Sequence, residues 1–163
     1  ELPPGADVLR TPPLRFDRWV DVTGEAGDQA SVTTAGRLGA RWRPMSSRRA
    51  TPWEDQRSLW ADLGRSRVAV VSGTPEAPWW PDALACGTLL TGELDADVPD
   101  FARAPSIQDA LSQWTPGRSL ELRTWALANL DWRNRLVVLG EWLDAATPEL
   151  ERARALLRLA GEP

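Results

Sequence analysis

The predicted fold depends most on the stretch LRFDRWVDV, residues 14–22. Leu14, Phe16 and Val20 lie on one parity of this stretch, and most of its charged residues lie on the other. An alternation with a period of two is typical of a strand that has one face on the core and the other in water. We therefore expect a β-strand here, in which only Arg18 interrupts the apolar parity.

A second alternating run, SVTTAGRLGARWR at residues 31–43, follows after the polar stretch TGEAGDQA. Val32 and Trp42 share the apolar parity of this run, and its arginines lie on the other. Two alternating runs joined by a short polar loop predict an antiparallel pair of strands. A bulge or a second turn is expected at Gly36 or Gly39.

Two segments in the middle of the chain carry the signals of regular structure. Residues 51–64 predict a helix, because Thr51 can cap it, Pro52 suits its first turn and Gly64 can end it. The apolar run RVAVV at residues 67–71 predicts a buried strand, since it is short and rich in β-branched side chains.

The C-terminal third of the chain is predicted to be helical. Ser106 followed by Asp109 is typical of a helix cap, and TPG at residues 115–117 ends that helix. Residues 119–146 are rich in Leu, Ala and Trp, and the polar stretch DWRNR within them is either a bend or the join between two helices. A last helix starts at the cap Thr147.

Together these elements predict an α+β fold. A small N-terminal antiparallel sheet packs against a mostly helical C-terminal half in this prediction. The chain of 163 residues has a suitable length for a single domain, residues 1–163. Its β-rich part is expected over about residues 14–72 and its helical part over about residues 82–161.

The composition removes most of the usual catalytic side chains. The chain has no His, no Lys and no Tyr, and all 19 basic residues are Arg. The common proton carrier at neutral pH, the Schiff-base amine and the imidazole metal ligand are therefore missing. Cys86 is the only cysteine, and its apolar surroundings predict an inert core thiol. We expect no catalytic residues, and an enzyme that uses carboxylates or a metal ranks third among the functions considered.

The acidic stretch GELDADVPD, residues 92–100, suggests a calcium loop but lacks the required spacing. A loop that starts at Glu93 needs Gly at its sixth position and Glu at its twelfth, where Val98 and Ala104 stand. The turn SGTP at residues 72–75 cannot belong to a Walker phosphate-binding loop, because the chain has no Lys. We therefore predict no metal and no cofactor.

Residues 37–49, RLGARWRPMSSRR, hold five Arg, one Trp and no acid. If the two predicted strands pair, Arg37 and Arg41 share a solvent face with two aspartates of the first strand. These aspartates are Asp17 and Asp21, and opposite charges across strands stabilise a sheet. The alternative is a nucleic-acid site, since basic residues beside an aromatic are typical of contacts to phosphates and bases. Its contacts would come from Arg41, Trp42, Arg43, Arg48 and Arg49.

Trp79 and Trp80 stand between Pro78 and Pro81. Pro fixes the backbone and removes an N–H donor, which makes regular structure difficult for this segment. We expect one ring to pack in the core and the other to be offered to a partner, because Trp is enriched among the anchors of protein interfaces. The sequence therefore predicts a non-enzymatic binding or assembly module that acts through a protein partner, with Trp79 and Trp80 as its contact residues.

Composition also bears on the compartment. No apolar run approaches the roughly 18 residues of a membrane span, so no membrane contact is expected. A single cysteine excludes a disulfide within the chain and favours a cytoplasmic protein, and Arg in place of Lys is typical of a bacterial genome rich in G and C. The chain begins at Glu1 and not at Met, which leaves a processed secreted protein open. The oligomeric state is not determined by the sequence.

Overall fold

The computed structural model describes residues 6–8, 10–11, 13–45, 52–72, 79–145 and 147–161. The strands within them are β1 (Val20–Gly24), β2 (Trp42–Pro44), β3 (Ser66–Val71), β4 (Leu89–Gly92) and β5 (Arg103–Ala104). They form one all-parallel sheet in the order β2-β1-β3-β4-β5. The helices are α1 (Gln29–Arg37), α2 (Pro52–Arg65), α3 (Trp80–Ala85), α4 (Ile107–Gln113), α5 (Pro116–Asn129), α6 (Trp132–Trp142) and α7 (Pro148–Gly161).

The sheet is parallel, so the predicted α+β fold with an antiparallel sheet is wrong. Residues 31–43, for which the alternation predicts the second strand, lie mostly in α1, and only the last two belong to β2. Asp28 caps α1 by accepting a hydrogen bond from the Ser31 amide at 3.0 Å. The hydroxyls of Thr33 and Thr34 donate to carbonyls one turn earlier, so both residues are accommodated in a helix. A helix that connects two neighbouring strands is a crossover, and it makes the strands parallel.

The first strand is shorter than the alternation in residues 14–22 predicts. It begins at Val20, and residues 14–19 lie outside the strands. Val22 has strand neighbours on both sides, since it pairs with β2 and with β3. β1 is therefore a central strand, and its alternation does not reflect a sheet with one face in water.

Helices cover both faces of the sheet. On one face, α1 and α4 contribute Ala35 and Ile107 to a small buried cluster with Val22 and Val70. On the other face, α2, α3 and α5 contribute to a larger core. A sheet that is covered on both sides has strands that are apolar almost throughout, as in the RVAVV run of β3.

Several predicted elements are confirmed. α2 and β3 lie where their signals place them, and α4 follows the cap Ser106, whose hydroxyl accepts a hydrogen bond from the Asp109 amide at 3.1 Å. The stretch DWRNR is the join between α5 and α6, and Asp131 caps α6. α7 follows Thr147. The strands β4 and β5 fall within residues 82–161, so the strands are not confined to the N-terminal part.

The N-terminal segment is fastened to the join between α5 and α6. Ala6 forms a parallel bridge with Asp131, and the Val8 amide donates to the Asp131 carboxylate at 3.0 Å. Arg133 binds both this carboxylate and Asp7, at 3.0 and 2.9 Å. Beyond this join, α7 packs against α5 and α6.

Candidate functional site

Arg41 is neutralised within the fold. Its backbone amide and its Nε atom donate to Asp21 Oδ2 at 2.9 and 3.2 Å, and Arg67 Nη1 lies 3.3 Å from Asp21 Oδ1. Burial raises the pKa of Asp21, but the hydrogen bonds from Arg41 and the charges of both arginines lower it more, so the pKa lies below its ordinary value. The interpretation that Arg41 pairs with Asp21 is confirmed.

Arg37, which is also expected to lie beside Asp17 and Asp21, pairs with neither of them. Arg37 is exposed in the last turn of α1, and Asp17 lies 3.5 Å from the guanidinium of Arg15. The two residues are not on neighbouring strands, because one lies in a helix and the other lies before β1. Arg48 and Arg49 are outside the described residues, so their predicted contacts to nucleic acid stay predictions.

An exposed tryptophan that the sequence pattern does not single out lies among these arginines. Trp19 is 45% exposed and stands immediately before β1. The guanidinium carbons of Arg43 and Arg65 lie 5.2 and 5.8 Å from its ring centroid, within the range of cation–π attraction. We define the Arg–Trp patch as Trp19, Arg41, Arg43, Arg65 and Arg67.

The Arg–Trp patch lies near the amino ends of β1, β2 and β3. It contains four arginines, and three of them form ion pairs with Asp21 or Asp62. Arg43 Nε lies 3.9 Å from Asp62 Oδ1, so this pair is loose. The patch therefore keeps an excess of positive charge beside an exposed aromatic ring.

Trp42, the aromatic residue of the predicted nucleic-acid site, packs against the sheet. It is half-buried and packs against the cluster that contains Val22 and Val70. Its ring also covers Gly24, where an added Cβ would come within 2.6 Å of Trp42 Cη2. A base that stacked on Trp42 would have to displace this packing, whereas Trp19 is accessible.

The two tryptophans of the proline-bracketed segment differ in burial. Trp80 is 3% exposed and begins α3 within the larger core. Trp79 is half-buried and packs against the same core, and Pro78 lies outside the described residues. Only Trp79 retains surface that a partner can reach, and its contact with a partner stays a prediction.

The titratable groups on and next to α3 are structural. Asp82 accepts a hydrogen bond from Trp60 Nε1 at 2.7 Å, and burial raises its pKa against the opposing hydrogen bonds from Trp60 and Gln56. Burial also raises the pKa of Cys86 to about 12, as expected for the inert core thiol that the sequence predicts. The described residues contain no group of three or more His, Cys, Asp or Glu that is suited to a metal ion.

The carboxyl edge of the sheet contains the position where ligands usually bind in folds of this topology. Such ligands bind where the strand order reverses, which here is between β1 and β3. Asp28 follows β1 and Ser72 follows β3. Burial raises the pKa of Asp28, but hydrogen bonds from Ser31 and Ser72 lower it more, so this carboxylate is ionised and accepts hydrogen bonds. Residues 73–78, which follow Ser72, are outside the described part of the chain.

Among the described side chains, the largest group of exposed apolar ones lies on α6 and α7. We define the hairpin face as the six large apolar residues of these helices and the turn between them that are described as exposed. Their exposed fractions are 41% for Trp132, 39% for Leu136, 75% for Trp142, 74% for Leu143, 59% for Leu156 and 66% for Leu159.

The spacing of apolar residues in the sequence indicates this surface. Trp132, Leu136, Leu139 and Leu143 are spaced by four, three and four residues, which is typical of a helix that packs along another helix. A second apolar side of α6, with Val137 and Gly140, is buried. Since α6 is apolar on two sides, the sequence alone does not reveal which side the domain covers.

The strand order, with helices on both faces, defines a doubly wound α/β protein. No family model, curated protein or solved structure matches the chain. None of the described helices is long and apolar enough to cross a membrane.

Proposed function

We propose that the chain is a binding module that acts through a protein partner, and that the hairpin face is its docking surface. The observation that carries this proposal is the exposure of Trp142 and Leu143, which keep about three quarters of their surface in water. Apolar surface gains about 25 cal/mol per Å² when it is removed from water. Clusters of exposed apolar side chains that exceed a few hundred Å² mark interaction sites.

Binding to a protein partner is also the function that the sequence predicts, but the proposed contact is the hairpin face and not Trp79 and Trp80. Trp80 contributes to the core, so it cannot anchor a partner without leaving α3. Trp142 has the residue type that is most enriched among interface hot spots, and it is far more exposed.

The chemistry of the buried groups supports a function without catalysis. Asp82 is held by Trp60, and the thiol of Cys86 has a pKa of about 12, which leaves almost no thiolate at neutral pH. The chain has no His or Lys to act as a base beside them. Binding is therefore the function class that these side chains support best.

Nucleic-acid binding at the Arg–Trp patch is the second candidate. The observation in its favour is the position of Arg43 and Arg65 at the ring of the exposed Trp19. Aromatic rings stack on bases and Arg contacts phosphates. This candidate ranks second because Asp21 and Asp62 neutralise part of the charge.

The test compares two variants with exposed apolar residues removed. The double variant Trp142→Ser with Leu143→Ser removes the most exposed part of the hairpin face, and Phe16→Ser is the matched control, since Phe16 is 51% exposed elsewhere. Both should melt near the wild-type temperature. We expect a partner captured by the wild-type chain to be retained by the control and lost by the double variant. A partner that the double variant binds as well as the wild type contradicts the proposal.

A further inference from the structure

We infer that the Arg–Trp patch, together with Trp114, is a binding site for single-stranded nucleic acid that offers a stacking position at each of two tryptophans, Trp19 and Trp114. This inference rests on the second candidate function and is independent of the hairpin face. Both rings lie at one edge of the sheet, arginines contact both of them, and the nearby carboxylates cancel only part of the positive charge.

Trp114 lies at the same edge of the sheet as Trp19. Its Nε1 atom donates to the Gly87 carbonyl at 3.3 Å, just before β4 begins, whereas Trp19 stands immediately before β1. Arg67 links the two positions, since it pairs with Asp21 of β1 and its guanidinium lies 5.5 Å from the ring centroid of Trp114. Both rings therefore lie near the amino ends of the parallel strands.

Each ring has a partly exposed arginine beside it. Arg43 lies at the ring of Trp19 and Arg67 lies at the ring of Trp114, and the side chains of the two arginines are 44% and 39% exposed. A base can stack on an aromatic ring or on the plane of a guanidinium, and a guanidinium also donates to phosphates. Each position thus combines a stacking surface with a donor for the strand backbone.

The arginines at this edge are not all neutralised by carboxylates. Asp21 is shared by Arg41 and Arg67, so one carboxylate faces two guanidiniums. Arg65 forms no ion pair with a residue that the structure describes, and its guanidinium lies at the ring of Trp19. A phosphate that approaches the patch therefore meets positive charge that the described carboxylates leave uncancelled.

Arg18 adds a buried positive charge behind the two rings. Its side-chain partners are neutral, since it donates to backbone carbonyls and to the hydroxyls of Thr88 and Ser119, and it pairs with no carboxylate of the described residues. Burial lowers the pKa of Arg18 to about 10, so the group stays charged at neutral pH. A charge in an interior of low dielectric is weakly screened, and it therefore attracts anions to the surface nearby.

The combination of rings and arginines favours a single strand over other polyanions. The bases of a duplex stack on one another, whereas unpaired bases are free to stack on side chains. An acidic peptide can pair with the arginines but leaves the exposed ring of Trp19 without a flat partner. The net charge of the chain is −4, so the rest of the surface repels a polyanion and directs it to this edge.

Fluorescence anisotropy of a labelled oligothymidylate with the full chain at low salt tests the site. We expect Trp19→Ala to weaken binding about tenfold, which corresponds to the loss of one stacked base. Arg67→Ala, at the second ring, should weaken it severalfold through one lost phosphate contact. The matched controls are Trp142→Ala and Arg152→Ala, at exposed positions on α6 and α7 where no change is expected.

Three results of this measurement overturn the inference. They are the absence of binding at low salt, equal weakening by Trp19→Ala and Trp142→Ala, and unchanged binding in Arg67→Ala, which excludes the second ring. Thermal melts establish that the variants are folded. If Trp19→Ala is unfolded, Arg65→Ala replaces it, since this change removes an arginine at the same ring without removing the ring.

A comparison of ligands tests the class of polyanion. We expect the oligothymidylate to bind about tenfold or more tightly than its duplex with oligoadenylate, because the duplex cannot stack on the rings. Polyglutamate should displace the strand only at a large excess of charge. A duplex that binds as tightly as the single strand, or polyglutamate that displaces it at equal charge, overturns the inference.

The inference and the hairpin-face proposal fail separately. If no single strand binds, the second candidate function and this inference are both wrong, while docking at the hairpin face is decided by capture of a protein partner alone. If Trp142→Ala weakens strand binding and Trp19→Ala does not, the Arg–Trp patch is excluded as the site. Strand binding that requires Trp19 and Arg67 but not Trp142 supports the inference and leaves the hairpin face free for a protein partner.

Discussion

The guanidinium of Arg18 lies over the ring of Trp114, with its central carbon 5.3 Å from the ring centroid. Its nitrogens donate to the backbone carbonyls of Leu63, Ser66 and Cys86. These carbonyls belong to the end of α2, the start of β3 and the end of α3. Burial lowers the pKa of Arg18 to about 10, so the side chain remains charged at neutral pH. One buried cation therefore joins the loops at the amino end of the sheet.

Replacement of Arg18 by Met should lower the free energy of unfolding by about 3 kcal/mol or more, because several buried carbonyls lose their donor. Arg18→Lys should recover little of this loss, since an ammonium group lacks the planar fork of donors. Urea unfolding measures both variants. The control is Arg152→Met, at an exposed arginine where a change within about 0.5 kcal/mol is expected. Equal stability of the Arg18→Met and Arg152→Met variants would contradict the assigned role.

Asp82 should make the stability of the chain depend on pH. Burial raises its folded pKa above the ordinary value of 3.8, so its contribution to stability is full below 3.8 and is lost as the pH rises through the folded pKa. Relative to Asp82→Asn, the wild-type chain should therefore gain stability as the pH falls from neutral towards that value. Urea unfolding at several pH values measures the difference, with the exposed Asp144→Asn as control. A difference that does not change with pH refutes this assignment.

The two neighbouring tryptophans should differ in their effect on stability. Trp80→Ala empties a buried site and should cost about 3–5 kcal/mol, as large core side chains do. Trp79→Ala should cost less, about 1–2 kcal/mol, because Trp79 is only half-buried. Thermal and urea unfolding compare the two variants. Equal losses in the free energy of unfolding for the two variants would contradict the difference in burial between Trp80 and Trp79.

The Arg–Trp patch makes a prediction about salt. If it binds single-stranded DNA, Arg43→Ala with Arg65→Ala should weaken binding and reduce the slope of log K against log salt by about 1.4, which corresponds to two lost phosphate contacts. Arg41→Ala should change the slope less, because Asp21 already holds Arg41. Fluorescence anisotropy of a labelled oligonucleotide at several salt concentrations measures both. Binding that is unchanged in the double variant would exclude the patch as the site.

The expected pair of Arg41 and Asp21 forms, but the reason differs from the one that the sequence suggests. The parallel register sets Val22 beside Trp42 and so brings Asp21 next to Arg41, whereas an antiparallel hairpin would separate the two residues. The exposure of Trp19 agrees with its place on the polar parity of residues 14–22, but the sequence does not indicate that Arg43 and Arg65 lie at its ring. The hairpin face could not be predicted, because α6 is apolar on two sides and the side that is covered depends on tertiary packing, in which α7 contacts α6.

The sequence by itself determined the features that depend on residues a few positions apart. The cap of Ser106 on α4, the break at Asp131 and the apolar run of β3 are of this kind, because a helix cap or a short buried strand is specified by its own side chains. The tertiary structure alone decided the direction of the strands and the burial of Trp80. Val32 fits the strand alternation with Trp42 and also a helical spacing with Ala35, and the helix forms because Ala35 packs against the sheet and α4 there. Such long-range packing outweighs a local pattern that suits two structures equally well.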